Sequence, residues 1–374
     1  MKQYIPLSRV ISKASVERCG DRQLPILSIT MKDGLVLQDE KFKKRIASAD
    51  TSDYKVILRG KLVQGIHIDE ANFGIQDIVD EGIVSPAYKV WEVDSSIIFP
   101  KYLEMIMRSP RSLSFYRSKL NGSVNRRGRM TDDDFLAMPI PFVNYEQQKR
   151  VVSIIHQASS LIAMYSRQLL VLDTLVKARF VEMFGDPVLN PKSFPVYRMD
   201  EVVEFQGGSQ PDKKYFEYEP TSDNIRLIQI RDYKTDKYIT YIPKALAKRH
   251  CTADDIMIGR YGPPIFQILQ GIEGSFNVAL MKATPKVGNR EFIRWFLKQD
   301  CLLRYLEGLS QRTAGQDGIQ MDKLNAYPFP MPPVSLQEEF ELLVHQVDKS
   351  KLSIQQSLEK LETLKQSLMQ QYFG

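Results

Sequence analysis

From Glu146 to Phe184 the chain holds no proline or glycine. Its apolar or aromatic positions fall at Val151, Ile155, Ala158, Ile162, Tyr165, Leu169, Leu172 and Val176, and Met183 resumes the series after Arg179. Steps alternating between four and three mark one face of a helix carrying a heptad seam. A second stretch, Ser335 to Phe373, is built alike: Phe340, Val344, Val347, Ile354, Leu358, Leu361 and Leu368 hold equivalent positions, with Lys351 and Lys365 interrupting. At 1.5 Å per residue each helix would run roughly 55 Å. A lone helix cannot bury a single apolar stripe, so the pattern predicts that the two pack on each other, antiparallel.

Both stretches belong to a longer repeat. Residues 135–185 align without a gap onto 324–374: Pro139 and Pro141 meet Pro328 and Pro330, Leu169 and Leu172 meet Leu358 and Leu361, and Phe184-Gly185 meets Phe373-Gly374. Upstream, after one indel, Tyr102–Met107 resembles Phe292–Leu297, and EGIVSPAYKV (81–90) loosely resembles EGSFNVALMKA (273–283). The chain therefore reads as two irregular blocks, each followed by a long helix, with boundaries 1–143, 144–186, 187–332 and 333–374. The blocks hold most of the glycines and show short alternating runs: YKVILRGKLVQGIHI (54–68), IRLIQIRDY (225–233) and DDIMIGRYGPPIFQIL (255–269). Short strands with Gly/Pro turns are the expectation. The predicted class is α+β, two blocks related by a pseudo-twofold axis and joined by an antiparallel pair of long coiled-coil helices.

A length of 374 residues with 43% hydrophobic content suits two domains with buried cores. Lys and Arg number 51 against 45 Asp and Glu, a net charge of +6. The excess lies in the blocks, +4 and +3, and not in the helices, whose sum is −1. A basic surplus repeated in both blocks points toward nucleic acid. No run of 18 apolar residues occurs, and MKQYIPLSRVISK lacks a signal-peptide core, so a cytoplasmic protein without membrane partners is expected. Three cysteines (Cys19, Cys251, Cys301) and four histidines (His67, His156, His250, His345) are scattered without CxxC or HxxxH spacing. That argues against a disulfide framework, a zinc ribbon or a zincin, and no metal site is expected.

Candidate DNA contacts combine Arg, Gln and Tyr with glycine-rich turns, since Arg binds phosphate or guanine, and Gln adenine, through paired hydrogen bonds. They are Gln64 and His67; Arg126, Arg127 and Arg129 before the PIP lead-in to the first helix; Gln229, Arg231 and Tyr233; Arg260 and Tyr261; and Arg312, Thr313 and Gln316 before the second lead-in. No catalytic centre emerges. There is no G-x-x-x-x-G-K-[ST], and GGSQP (207–211) lacks the strand–GxGxxG–helix context of a dinucleotide fold. GPPIF (262–266) carries glycine where amino-methyltransferases need an amide or carboxylate. Asp212-Lys213-Lys214 with Glu217 or Glu219 has unpersuasive spacing for a metal nuclease. Asp132–Asp134 reads as acidic charge at a helix start.

The whole chain resembles the specificity subunits of type I restriction–modification systems. The resemblance rests on MPIPFVNYEQQKRVV, LDTLVKARFVEMFGDP, FPMPPVSLQEEF and LETLKQSLMQQYFG at the lead-ins and helix ends, and on EGIVSPAY and DDIMIGRYGPPIFQIL within the blocks. It implies two target-recognition domains, each binding one half of a split double-stranded DNA target. The helices would form a spacer that docks two methyltransferase subunits, with restriction/translocase subunits completing the assembly. Such a chain is not an enzyme: S-adenosylmethionine, ATP and Mg would sit in the partners, and this chain would hold no cofactor. Two other classes stay open, a stand-alone DNA nuclease or methyltransferase and a coiled-coil adaptor that binds protein.

Overall fold

The computed structural model describes residues 3–41, 50–120, 130–261, 264–310 and 318–374. The fold is α+β. Two helices of 40 residues each, Tyr145–Phe184 and Val334–Phe373, carry the heptad seams. The chain forms two compact units, one of residues 1–166 with 355–374 and one of residues 167–354. Each unit thus contains one block, the opening half of the helix that follows it, and the closing half of the other helix.

In the first unit a four-stranded antiparallel sheet runs in the order Ile11–Lys13, Lys89–Val93, Leu62–Gln64, Phe73–Ile75. Two further antiparallel pairs accompany it, the hairpin Leu27–Thr30 with Gly34–Leu37 and the longer-range pair Lys55–Leu58 with Glu81–Val84. Helices Pro100–Met107 and Pro110–Lys119 follow, and Trp91, Tyr102, Tyr116, Phe73 and Phe135 fill the core. Val151 and Ile155 from the first long helix, and Phe373 from the end of the second, insert into that same core. The Phe373 ring lies 5.2 Å from Tyr102.

The second unit repeats the order Val203–Gly207, Leu280–Pro285, Ile256–Gly259, Gln267–Gln270 in its main sheet. A second sheet runs Tyr241–Pro243, Asn224–Ile228, Gly274–Phe276, His250–Cys251, with one parallel pairing between Asn224–Ile228 and Gly274–Phe276. Helices Arg290–Leu297 and Asp300–Ser310 then match the helix pair of the first block. Here Phe184 ends the first long helix against Phe292 (4.7 Å) and near Phe340 at the start of the second (5.4 Å). In each unit, then, the start of one long helix shares a core with the end of the other, which is the antiparallel pairing expected.

The proline lead-ins are strands as well as punctuation. Pro139–Phe142 pairs antiparallel with Gln3–Pro6, and Pro328–Pro330 with Val196–Arg198. Antiparallel neighbours alternate between hydrogen-bonded and open pairs, and proline has no N–H to give. A spacing of two keeps Pro139 and Pro141, or Pro328 and Pro330, on the open positions together. At the far end of the first helix Gly185 adopts φ +78° and its N–H caps the Val181 carbonyl at 2.7 Å, a left-handed stop that suits glycine.

The seam is buried at the helix ends and thinner between them. Val151, Ile155, Val176, Phe340, Val344 and Val347 are buried, whereas Ile162, Leu169, Leu172, Ile354, Leu358 and Leu361 are half-buried. Phe180, absent from the predicted seam, is fully buried among Phe184, Phe292 and Phe340. Lys351 breaks the apolar pattern because it crosses to the other helix, 2.5 Å from Asp173.

Candidate nucleic-acid interface

Four strands of the second unit end in loops that are stitched together. Past Val203–Gly207, the Gly208 N–H donates to Leu280 O and the Ser209 N–H to Phe276 O; past Gly274–Phe276, the Asn277 N–H donates to Ile228 O; and past Ile256–Gly259, the Arg260 N–H donates to Ala279 O. A side chain at Gly208 would put Cβ 2.0 Å from Asn277 O, so the second glycine of GGSQP serves close backbone approach. Around this edge the structure gathers Arg260, Tyr261, Gln229 and Arg231. Arg260 lies over the exposed Tyr261 ring at 5.4 Å, touches Val278 O at 3.5 Å, and has no carboxylate partner among the described residues.

Beside it, the 229–240 loop is held by Thr240, whose hydroxyl accepts from both Gln229 Nε2 and Arg231 Nη2 at 3.1 Å. Asp232 anchors the turn from beneath, accepting the Gln229 N–H at 3.0 Å. Burial raises the Asp232 carboxyl above its ordinary range, against the lowering pull of the Gln229 N–H and of Arg226. Tyr233 points inward: its hydroxyl is buried without a partner among the described residues, and burial raises its pKa. Outside, Arg231 and Lys237 flank the exposed Tyr238 ring at 5.8 and 5.2 Å, and Lys214 sits 4.9 Å over Tyr215. Cations beside exposed aromatic faces on backbone-rich loops suit phosphate contact and base stacking. Gln229, Arg231, Arg260 and Tyr261 are thus brought together, while Tyr233 supports the loop from within.

The first unit places its candidates differently. His67 is exposed on the turn after Leu62–Gln64. Gln64, expected on a loop, is the last residue of the strand and only 6% exposed. The Trp91 indole N–H donates to its Oε1 at 2.8 Å. Arg126, Arg127, Arg129, Arg312, Thr313 and Gln316 lie outside the described residues. A basic cluster escaped the sequence reading because its members are far apart in the chain. Lys13, Lys55 and Lys89 line a cavity of about 280 Å³ with Asp132, which pairs with Lys89. Burial, then Arg18, Lys13 and Lys89, lower the Lys55 pKa, and its ammonium donates to Tyr88 O at 2.5 Å. Three ammonium groups around one carboxylate leave a net positive hollow with room for an anion such as phosphate.

The other motifs have local structural roles. Asp132, Asp133 and Asp134 open the helix Asp132–Leu136 behind the Thr131 cap, as expected. Glu217 accepts from Asn224 Nδ2 at 2.6 Å. Among the described residues no group of three His, Cys, Asp or Glu is placed to hold a metal ion, and no helix is long and apolar enough to cross a membrane.

No protein-family model matches the chain, and no curated protein matches it. Solved structures do. A chain from a type I R-M system, solved to explain complex assembly and conformational transition, aligns over 99% of this chain and 97% of its own, with TM-score 0.60 and 16% identity. The type I restriction-modification system S subunit from M. genitalium aligns over 100% and 96%, with TM-score 0.61 and 12% identity. The chain shares its fold with these proteins along its whole length.

Proposed function

We propose that the chain is the DNA sequence-specificity subunit of a type I restriction–modification system. Each block binds one half of a bipartite duplex target, and the long helices dock two methyltransferase subunits, so that adenine methylation and restriction are directed to that target. The chain performs no chemistry itself; S-adenosylmethionine, ATP and Mg belong to the partner subunits. One observation carries the reading: a block, a proline strand and a 40-residue helix occur twice in the same order, in a fold shared end to end with an S subunit. The cation–aromatic loops of the second unit and the lysine hollow of the first support contact with a polyanion. Apolar side chains off the seam, Leu161 and Met164 in one unit and Leu170, Val171, Leu342 and Leu352 in the other, are exposed and support docking of partner subunits.

Co-expression with the methyltransferase partner, followed by mapping of methylated adenines, tests this. The expected result is a two-part motif with a fixed gap. A contiguous motif, or methyl transfer or cleavage by the isolated chain, would overturn it in favour of a stand-alone methyltransferase or nuclease. No sequence-specific DNA binding by the complex would favour the protein adaptor.

A further inference from the structure

Gln64 and Lys89 are direct partners across two antiparallel strands, and Trp91 stands two residues beyond Lys89 on the same face. That geometry brings the Trp91 indole onto the Gln64 amide. An indole N–H only donates, so the Gln64 oxygen must be the atom that receives it, which fixes the amide orientation. The Gln64 NH2 group is left with no partner among the described residues. The side chain is more than nine-tenths buried, yet it lines a cavity of about 510 Å³ together with Lys89 and the apolar Ile66, Ile68, Leu120 and Met130. Lys89 spends one of its N–H groups on Asp132 and contributes to both this cavity and the lysine hollow.

The second block supplies the control. With sheet order and register superposed, Gln64 opposite Lys89 and Leu62 opposite Trp91 correspond to Ile258 opposite Met281 and Ile256 opposite Ala283. By the repeat spacing, Met130 and Asp132 correspond to Ile319 and Met321. All of these second-block residues belong to one packed apolar core. Here the first block departs from its duplicate, setting a glutamine and a lysine on a hollow where the duplicate has apolar packing. Such a departure costs stability, and is expected where a ligand recovers it.

We propose that this hollow is a base-reading site and that Trp91 sets what it reads. A free glutamine amide pairs with adenine by giving one hydrogen bond and taking another. Here the accepting oxygen is turned onto the Trp91 indole and the NH2 group away from it, so Gln64 and Lys89 present donors to the hollow. They fit the two acceptors, N7 and O6, of guanine and not the donor–acceptor edge of adenine. A backbone phosphate has acceptors too, but the apolar lining and the Lys89–Asp132 pairing suit a neutral group, while the lysine hollow next to it suits the charged one. This inference rests on the DNA-specificity reading above.

The test uses the full chain in complex with its methyltransferase and a duplex panel in which each base pair of its methylated motif is replaced in turn. Gln64→Met should lower discrimination at one guanine by roughly 10-fold or more and leave the other positions intact. Gln64→Glu still accepts the Trp91 N–H but turns a second acceptor toward the cavity, so it should reject that guanine. Trp91→Phe frees the Gln64 oxygen and should admit adenine at the same position. An unchanged motif in folded Gln64→Met and Gln64→Glu variants overturns the proposal while leaving a bipartite reader in place. An equal loss on every duplex means a phosphate contact and overturns it too. A wild-type complex with no bipartite motif removes the underlying reading itself.

Discussion

Two glutamines hold corresponding places in the repeat and perform the same task. Gln148 Oε1 accepts the N–H of Phe99 at 2.7 Å while its Nε2 donates to Val143 O at 2.8 Å. Gln337 Oε1 accepts the N–H of Asn289 at 2.7 Å while its Nε2 donates to Pro332 O at 2.7 Å. Both are fully buried, and each ties the start of a long helix to the N-cap residue of a short helix earlier in the same block, Pro100–Met107 or Arg290–Leu297. Gln148→Met or Gln337→Met leaves buried backbone groups unpaired and should cost about 1–3 kcal/mol for each group, read as a lowered denaturant midpoint. A lysine, by contrast, is a liability at neutral pH. Lys298, packed 4.6 Å from the Trp295 ring, has its pKa pulled down to about 8, chiefly by burial and then by Arg294. The folded chain therefore binds this proton less well than the unfolded chain. The penalty is present in full below pH 8 and fades as pH rises toward the ordinary lysine value. Lys298→Met should raise the melting temperature most near pH 7, with the gain shrinking by pH 10. None of these three residues stands out in the sequence pattern. For the glutamines the signal existed, since the gapless repeat sets Gln148 against Gln337, but periodicity weighs apolar positions and passes over a polar group on the same face.

The long helices were legible because their seam is one-dimensional: a 3.6-residue period survives in the bare sequence. Strands such as Lys55–Leu58 and Ile256–Gly259 are legible as short apolar runs bounded by turn residues. What the pattern missed arises from packing between distant segments. Phe180 sits a turn beyond Val176, yet its burial comes from Phe292 and Phe340, more than a hundred residues away. Gln64 looked like a loop residue beside Gly65, and its burial depends on Trp91. The PxP spacing was read as a helix lead-in, while its pairing with Gln3–Pro6 or Val196–Arg198 needs a partner at the opposite end of the block. At this scale, Phe373→Ala should destabilise the first unit by about 3–5 kcal/mol, as for a large core aromatic, even though the unit's block ends 230 residues earlier in the chain. Hydrogen exchange should show the loss in the Pro100–Met107 helix; protection unchanged there would refute the placement of that ring.

For the whole molecule, the helices are the covalent route between the two units, since each passes from one into the other. If the blocks read two half-sites, helix length should set the gap between them. Inserting about four residues, one turn, into both helices should lengthen the gap of the methylated motif by one or two base pairs. A mapped motif with an unaltered gap would separate spacing from helix length. The same passage inverts the order in which the units can be finished. During synthesis the first block emerges earliest, but its core waits for Phe373, which is made after all of residues 167–354. The second unit has its whole complement of residues while the first still lacks a wall, so a nascent chain stalled near residue 354 should resist protease in its later-made portion and be cut in its older one.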